Sequence, residues 1–383
     1  MSELAVLEGI EVFRLRLPLV TPYRLAFGAI EHYDTIIVEL TDRDGRQGLG
    51  EATVLTGYTD ETIDDSYRAA REFAASLVNR QPGSVRERTE ALGIEFPFTA
   101  TAFGTALEML ERSPLLRIEE RVRVPLLGLL HAEHEDDIAR EFDELLAAGF
   151  RTVKVKVGFD VDADVRRVRA VQSVVSGRAR IRLDANQGYG PDEGIAFARA
   201  LAPDDIELFE QPCAAGDWEA HLRVVRAAGV PMMLDESIYG LHDIERAAEL
   251  RAARYIKLKL MKFVTLERLL AAIARVRALG MEPVLGNGVA CDLGCWMEAL
   301  VAARTIRNAG EMNGWLKATI AILTQPLRFE RGAIVVEPAF APALARERIA
   351  PYVVATAAFG SAKATRSGDT ASARTPRRTS RAP

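Results

Sequence analysis

Histidine, cysteine and long apolar runs are all scarce in this sequence of 383 residues, and each shortage removes a class of protein from consideration. The three cysteines, Cys213, Cys291 and Cys295, form no disulfide framework and suit a reducing compartment. No apolar run approaches the roughly 18 residues that a membrane-spanning helix requires. The first residues lack the basic start, apolar core and small-residue cleavage site of a secretion signal. We therefore expect a cytoplasmic protein without a membrane partner.

The charge distribution argues against nucleic acid as a partner. The net charge is −5, and no basic stripe interleaved with aromatic residues is present. Residues 358–383 hold six basic residues and one acid, so this tail contributes +5 and leaves −10 on the rest of the chain. Because the tail is poor in large apolar side chains, it cannot offset the entropy of ordering and is predicted to be disordered. Electrostatic docking of the tail to a polyanion is the alternative.

The first third of the chain is predicted to be an α+β capping domain, residues 1–120. Residues 9–18 and 33–41 alternate apolar and polar side chains in the manner of half-buried strands, and helical patterns follow them. The last ordered stretch, about residues 326–357, departs from the pattern of the residues before it. We expect this stretch to pack back against the N-terminal domain and to complete it.

Residues 121–325 alternate short apolar runs with amphipathic stretches. Residues 152–158, for example, form such a run, and residues 163–177 follow with a helical pattern. Strands that alternate with helices of 10–15 residues indicate right-handed crossovers and a parallel sheet. Seven or eight such units favour a closed (β/α)7β barrel. An open doubly wound sheet is the alternative, and the lack of a glycine-rich phosphate loop after the first strand counts against it.

Five charged residues follow successive apolar runs at nearly even intervals: Lys156, Asp184, Glu210, Asp235 and Lys259, with gaps of 28, 26, 25 and 24 residues. In a parallel barrel the carboxyl ends of the strands converge on one mouth, where active sites form. Three carboxylates gathered there repel one another unless a cation neutralises them. Oxygen ligands suit Mg²⁺, with Mn²⁺ as an alternative, whereas the lack of a His or Cys at these positions argues against zinc. The other interpretation is that these acids cap the following helices.

The lysines occur in two pairs, each on one face of a strand. Side chains alternate along a strand, so Lys154 and Lys156 point the same way, as do Lys257 and Lys259. Neighbouring ammonium groups are expected to lower the pKa of a lysine, which would let it act as a base. A metal that holds a substrate carboxylate would stabilise the charge of an enediolate, while lysines on opposite faces move the α-proton. The alternative is that these lysines are ordinary surface residues at the ends of strands.

At these residues the chain resembles the muconate-lactonising subgroup of the enolase superfamily, over about residues 5–355. The segments that carry the resemblance are KVK (154–156), LDANQGY (183–189), FEQP (209–212), LDES (234–237) and KLMK (259–262). The resemblance implies a barrel with an N-terminal capping domain and a divalent metal. It implies that Lys156 and Lys259 are the acid–base pair and that Asp184, Glu210 and Asp235 bind Mg²⁺.

The resemblance also implies that Lys154 is an electrostatic helper, but it weakens at the seventh and eighth strands. The seventh strand usually ends in a Gly-x-Met-x-Glu-like segment, and residues 285–294 contain no such Glu. Dipeptide epimerases carry an Asp-x-Asp near the end of the eighth strand, which holds the substrate's ammonium group. This chain has Glu311 in that region, which is either a partner for a cationic amino group or a loop residue. Asn287, in the seventh segment, is also expected to contact the substrate.

Loops of the capping domain should reach the substrate as well. Arg24 lies in the first of them and could hold a second carboxylate, with a structural salt bridge as the alternative. Tyr58 lies in the second loop and is predicted to contact the substrate.

The leading functional hypothesis is racemisation or epimerisation of an amino acid derivative or dipeptide by the two lysines. The same intermediate would serve a β-elimination or cycloisomerisation, as in a dehydratase, a muconate cycloisomerase or an o-succinylbenzoate synthase. A lysine Schiff-base aldolase would need no metal, and the acid triad counts against it. The expected partner is a small-molecule carboxylate, and barrels of this kind often form homo-oligomers, which is an analogy of fold alone.

Overall fold

The computed structural model describes residues 6–25, 28–56 and 59–360 of the chain, without the side chains of Arg24 and Leu25. Tyr58 and residues 361–383 lie outside the described residues. The predicted tail began at residue 358, but residues 358–360 belong to the last strand, because they pair with the first strand of the chain. None of the helices in the described part of the chain has the length and apolar character needed to cross a bilayer.

The described residues form fourteen strands and eleven α-helices. The strands are β1 (Leu7–Leu25), β2 (Gly28–Asp42), β3 (Gln47–Val54), β4 (Val122–Pro125), β5 (Gly128–Leu130), β6 (Thr152–Lys156), β7 (Arg180–Asp184), β8 (Ile206–Glu210), β9 (Met232–Leu234), β10 (Tyr255–Leu258), β11 (Glu282–Leu285), β12 (Arg328–Glu330), β13 (Ala333–Val336) and β14 (Val353–Gly360). The helices are α1 (Ile63–Leu77), α2 (Pro82–Leu92), α3 (Pro97–Leu110), α4 (Glu135–Ala147), α5 (Val161–Val175), α6 (Pro191–Ala200), α7 (Trp218–Ala227), α8 (Leu241–Leu250), α9 (Leu266–Ala278), α10 (Asp292–Thr305) and α11 (Arg346–Ile349).

The first sheet has the antiparallel order β14-β1-β2-β3, so both ends of the described chain meet in one sheet. Helix α3 lies between this sheet and the barrel, and nearly all of its residues are buried. The backbone of α3 packs closely against both the sheet and the barrel. A Cβ on Gly50 would lie 1.8 Å from the carbonyl oxygen of Ala102, and one on Gly104 would lie 2.4 Å from that of Val264. Only glycine permits these two contacts.

The second sheet is the barrel, with seven parallel strands in the order β5 to β11. A short extended segment at Gly310 and Glu311 closes it. The N–H of Gly310 donates to the carbonyl of Pro125 at 2.8 Å, and the N–H of Glu311 donates to that of Leu285 at 3.0 Å. The segment therefore joins β11 to the chain just before β5 as the eighth strand, and the predicted (β/α)7β barrel is confirmed.

The C-terminal stretch is shared between two sheets. Strands β12 and β13 form a small antiparallel sheet with β4 at the start of the barrel region, whereas β14 pairs with β1. The division of the chain into a capping domain of residues 1–120, completed by about 326–357, and a barrel of 121–325 stays a prediction.

Buried glutamates join the first sheet and α3 to the barrel helices. Glu51 of β3 accepts hydrogen bonds from the N–H groups of Cys291 at 2.5 Å and Gly294 at 2.8 Å, at the start of α10. Glu108 of α3 accepts from the N–H groups of Leu266 and Glu267 at the start of α9, at 2.8 and 3.0 Å. These bonds satisfy N–H groups that a helix leaves unpaired, and they orient the first sheet over the mouth of the barrel.

Glu108 should make stability depend on pH. Burial raises the pKa of Glu108 from 4.5 to about 7, against the opposing effect of the two backbone N–H groups. The folded state therefore holds a proton that the unfolded state has released, so the contribution is complete below pH 4.5 and is lost as the pH rises through about 7. Between these limits the free energy of unfolding of Glu108→Gln should rise relative to the parent by up to about 3 kcal/mol.

Chemical denaturation across this pH range measures the effect. The exposed Glu87 of α2 provides the matched control, because Glu87→Gln should leave the pH dependence unchanged. An identical pH dependence for Glu108→Gln and the parent would contradict the prediction.

Candidate active site at the mouth of the barrel

The parallel register brings the evenly spaced charges to one end of the barrel. Lys156 on β6 lies opposite Asp184 on β7, which lies opposite Glu210 on β8. Asp235 follows β9 directly, and Lys259 follows β10 directly. The strand ends therefore place all five charges at the mouth, as the sequence spacing predicts.

A cavity of about 30 Å³ lies among these groups. Its lining residues include Tyr23 from the first strand of the chain, Asn287 and Gly288 from the loop after β11, and Glu311 from the eighth strand. The Asn287 side chain accepts a hydrogen bond from the N–H of Val289 at 2.9 Å. Asn287 and Glu311 thus lie at the cavity, whereas the structure gives no position for Tyr58 or for the Arg24 side chain.

The outer layer of the cluster consists of two lysines on opposite sides. Lys156 Nζ lies 2.6 Å from Asp184 Oδ2, and Lys259 Nζ lies 2.7 Å from Asp235 Oδ2. Lys262 Nζ lies 3.1 Å from the other oxygen of Asp235. Strands β6 and β10 are the second and sixth of eight, so Lys156 and Lys259 face each other across the barrel.

The inner layer is organised by Lys154, whose ammonium group contacts three carboxylates. Its Nζ lies 2.8 Å from Asp184 Oδ2, 2.9 Å from Glu210 Oε2 and 3.0 Å from Glu311 Oε1. Glu311 also forms an ion pair with Lys257 of β10. All of these side chains are buried, and such ions are stable only because each is paired.

The pKa values of the lysines differ from the expectation drawn from their spacing. Burial by itself lowers the pKa of Lys156, but the nearby Asp184 carboxylate outweighs it and raises that pKa above its usual value. The same balance, with Asp235 as the carboxylate, raises the pKa of Lys259. The Lys154 ammonium group does lower the pKa of Lys156, as the spacing predicts, but the carboxylate outweighs it. The net direction for both lysines is therefore opposite to the prediction.

The donor set fits a divalent cation. Both carboxylate oxygens of Glu210 are buried, and within the described residues their polar contact is the ion pair of Oε2 with Lys154. Burial and the neighbouring Asp184 raise the pKa of Glu210 to about 7, so a bound divalent cation would favour its charged form at neutral pH. The described part of the chain contains no group of three or more His, Cys, Asp or Glu residues already gathered about one point. The Lys154 ammonium group contacts both Asp184 and Glu210.

Several polar residues of the site were not assigned from the sequence. Asn186 accepts from Lys156, and its own Nδ2 donates to Glu236 Oε1 at 2.9 Å. Lys262 contacts Asp235 and also lies 4.6 Å from the centre of the Tyr239 ring. Lys262 and Asn186 fall within the segments quoted for the family resemblance. The sequence signal that could have identified them is their position close to a charged residue at the end of a strand.

The fold and this cluster define an α/β-barrel protein with a buried lysine–carboxylate site at the carboxyl ends of its strands. Residues 137–341 match the enolase C-terminal domain-like family, and residues 9–106 match the mandelate racemase / muconate lactonizing enzyme N-terminal domain. The chain therefore belongs to the mandelate racemase and muconate lactonizing enzyme family of the enolase superfamily. The sequence-based expectation of this family is confirmed.

Its relatives include epimerases and racemases. An L-Lys-D/L-Arg epimerase of Methylococcus capsulatus is 32% identical over 271 residues, which cover 66% of this chain and 74% of the epimerase. An N-succinyl-L-Arg/Lys racemase of Bacillus cereus is 25% identical over 337 residues, or 84% of this chain and 88% of the racemase. The crystal structure of a dipeptide epimerase from Cytophaga hutchinsonii, complexed with Mg and D-Ala-L-Val, superposes with a TM-score of 0.84 at 20% identity. The superposition covers 93% of this chain and 100% of the dipeptide epimerase chain.

Glu210→Gln should weaken divalent-metal binding. The substitution keeps the size of the side chain but removes the negative charge of a buried carboxylate, so the affinity for Mg²⁺ and Mn²⁺ should fall by about 100-fold or more. Titration calorimetry measures the affinity. Glu219→Gln, at an exposed position on the helix that follows the same strand, is the control and should bind metal as the parent does. An unchanged affinity in Glu210→Gln would remove this residue from the metal site.

Proposed function

We propose that this enzyme removes the proton α to a carboxylate of an amino acid derivative and returns a proton to the opposite face. Lys156 and Lys259 are the acid–base pair. The observation that carries the proposal is their placement on the second and sixth strands of eight, so that they face each other across a cavity they both line. Relatives named as epimerases and racemases support the same reaction.

The proton transfers follow from the two positions. One lysine, in its neutral form, takes the α-proton, and the electrons of the C–H bond move into the substrate's carboxylate to give an enediolate. The other lysine, in its ammonium form, donates a proton to the α-carbon from the opposite side. Inversion therefore needs both lysines, and the direction of reaction decides which one starts neutral.

The carboxylates support this chemistry in two ways. Asp184 and Asp235 hold Lys156 and Lys259 at 2.6 and 2.7 Å and so position each ammonium group at the wall of the cavity. Asp184, Glu210 and Asp235 would also hold a divalent cation, Mg²⁺ or Mn²⁺. When bound there, the cation supplies positive charge that stabilises the enediolate.

Lys154 is a positioning residue in this scheme. Its contacts with Asp184, Glu210 and Glu311 join carboxylates from three strands beneath the acid–base pair. Its side chain is 3% exposed, against 17% for that of Lys156, so we assign it to holding these carboxylates in place and not to proton transfer.

Solvent exchange tests the proposal. In deuterium oxide with Mg²⁺, a single enantiomer of an N-acyl amino acid or dipeptide should acquire deuterium at the α-carbon and invert. Lys156→Ala and Lys259→Ala should each abolish inversion, since each removes the group on one face. Each variant should retain exchange with only one of the two enantiomers, because the remaining lysine still reaches its own face. Proton NMR follows exchange, and chiral chromatography follows inversion.

Two outcomes would contradict the proposal. Inversion without α-deuterium would exclude proton transfer to and from the lysines. An alkene or lactone product would instead indicate β-elimination or cycloisomerisation through the same intermediate.

A further inference from the structure

Helix α5 follows β6 and directs two charged side chains at the main chain around Lys156. Asp164 accepts hydrogen bonds from the N–H groups of Gly158 and Phe159, at 3.0 and 2.9 Å. Arg167, one turn further along the helix, donates from Nη1 to the carbonyl oxygen of Lys156 at 2.9 Å. The main chain is therefore held by α5 at Lys156 itself and again just after it.

The half-buried guanidinium group of Arg167 also joins this strand end to the neighbouring one. Its Nη2 donates to the carbonyls of Leu130 and His131, at 3.2 and 3.0 Å, and its Nε donates to that of Ala132 at 3.0 Å. These three residues end or follow β5, the first strand of the barrel. With the bond to Lys156, four of the five N–H groups of the guanidinium are occupied by main-chain carbonyls, which leaves little capacity for a ligand.

The two strands do not hold Lys156 by their own pairing. The ladder between β5 and β6 ends at the pair of Leu130 and Val155, one residue before the lysine. Lys156 pairs with Asp184 on β7, and no described residue of β5 is its register partner. Arg167 therefore supplies the connection to β5 that the ladder lacks at this position.

The segment to which Arg167 joins Lys156 is fixed by a second helix as well. Glu141 of α4 accepts hydrogen bonds from the N–H of His131, at 3.0 Å, and from that of Ala132, at 2.7 Å. Hydrogen bonds with an ionised partner are about twice as strong as those between neutral groups. Because charged side chains hold both the N–H and the carbonyl groups of this segment, it gives Lys156 a fixed point of attachment.

The main chain at Lys259 is held in a different way. Its carbonyl accepts from the N–H of Lys262 at 3.0 Å, within the short 3₁₀ turn Leu260–Lys262. The N–H of Leu260 donates to Glu298 of α10 at 2.7 Å. Since Lys259 follows the sixth strand and Arg167 lies on the helix after the second, loss of the guanidinium should displace Lys156 and leave Lys259 in place.

We propose that Arg167 is the positioning residue for Lys156 and so controls proton transfer on one face of the α-carbon only. A displacement of about 1 Å at a reacting group can lower a rate by about 100-fold. This inference rests on the proposed function, because it assigns Arg167 to the lysine that serves one of the two faces. It predicts an effect that differs between enantiomers, which a general loss of structure would not produce.

Exchange of the α-proton in deuterium oxide, measured separately for the two enantiomers of an N-acyl amino acid or dipeptide, tests the inference. The enantiomer that Lys259→Ala still exchanges is the one that Lys156 serves. Arg167→Met should lower kcat for exchange of this enantiomer by about 10- to 100-fold, while exchange of the other enantiomer changes little. KM should change little for both, because no contact with the substrate is lost. Inversion needs both lysines and should therefore slow in both directions.

Two further variants complete the experiment. Arg169→Met changes an exposed arginine of the same helix and should behave as the parent does. Arg167→Lys keeps the positive charge but lacks the planar fork that contacts four carbonyls, so it should show a smaller loss confined to the same enantiomer. Chemical denaturation establishes that each variant is folded, and Arg167→Lys provides the test if Arg167→Met does not fold.

The inference and the proposed function fail in different ways. An equal loss for both enantiomers, or no loss, in the folded Arg167 variants would overturn the inference and leave the proposed function in place. A raised KM with unchanged kcat would also overturn it, because that result indicates direct contact of Arg167 with the substrate. A parent enzyme that exchanges neither enantiomer would contradict the proposed function itself.

Discussion

The ammonium group of Lys154 is the point at which the strands of the barrel depend on one another. It contacts carboxylate oxygens from the third, fourth and eighth strands at 2.8 to 3.0 Å, while being 3% exposed itself. A buried ion that loses its partner typically destabilises a protein by about 3–5 kcal/mol. This one side chain thus couples the register of the strands to the closure of the barrel at Gly310 and Glu311. It also couples both to the depth of the site.

The charged residues at the mouth of the barrel form two layers with different roles. The inner layer of Lys154, Lys257 and Glu311 is held together by ion pairs, and Lys154 and Glu311 also line the cavity. The outer layer of Lys156 and Lys259 borders the cavity and faces across it, which is the geometry that an inversion at carbon needs. Tyr23, delivered by the first sheet, completes the wall, so the site exists only when both parts of the chain are assembled.

Much of this could be predicted from the sequence because the signals are local. Alternation along residues 152–158 places Lys154 and Lys156 on one face of a strand, and the spacing of Asp184, Glu210 and Asp235 follows from the length of one strand–helix unit. The pKa direction at Lys156 could not be predicted, since it depends on whether a carboxylate or an ammonium group lies closer in space. The sequence pattern places a carboxylate and an ammonium group near Lys156, but it does not give their distances from it.

By itself, the sequence determined the kind of fold and the chemical identity of the site. The period of the strands, the length of the helices and the placement of the charges are properties of short segments, and short-range sterics decide them. Only the tertiary structure decided which charges meet. Glu311 stands 157 residues from Lys154 and 54 from Lys257, and closure of the barrel brings the three together.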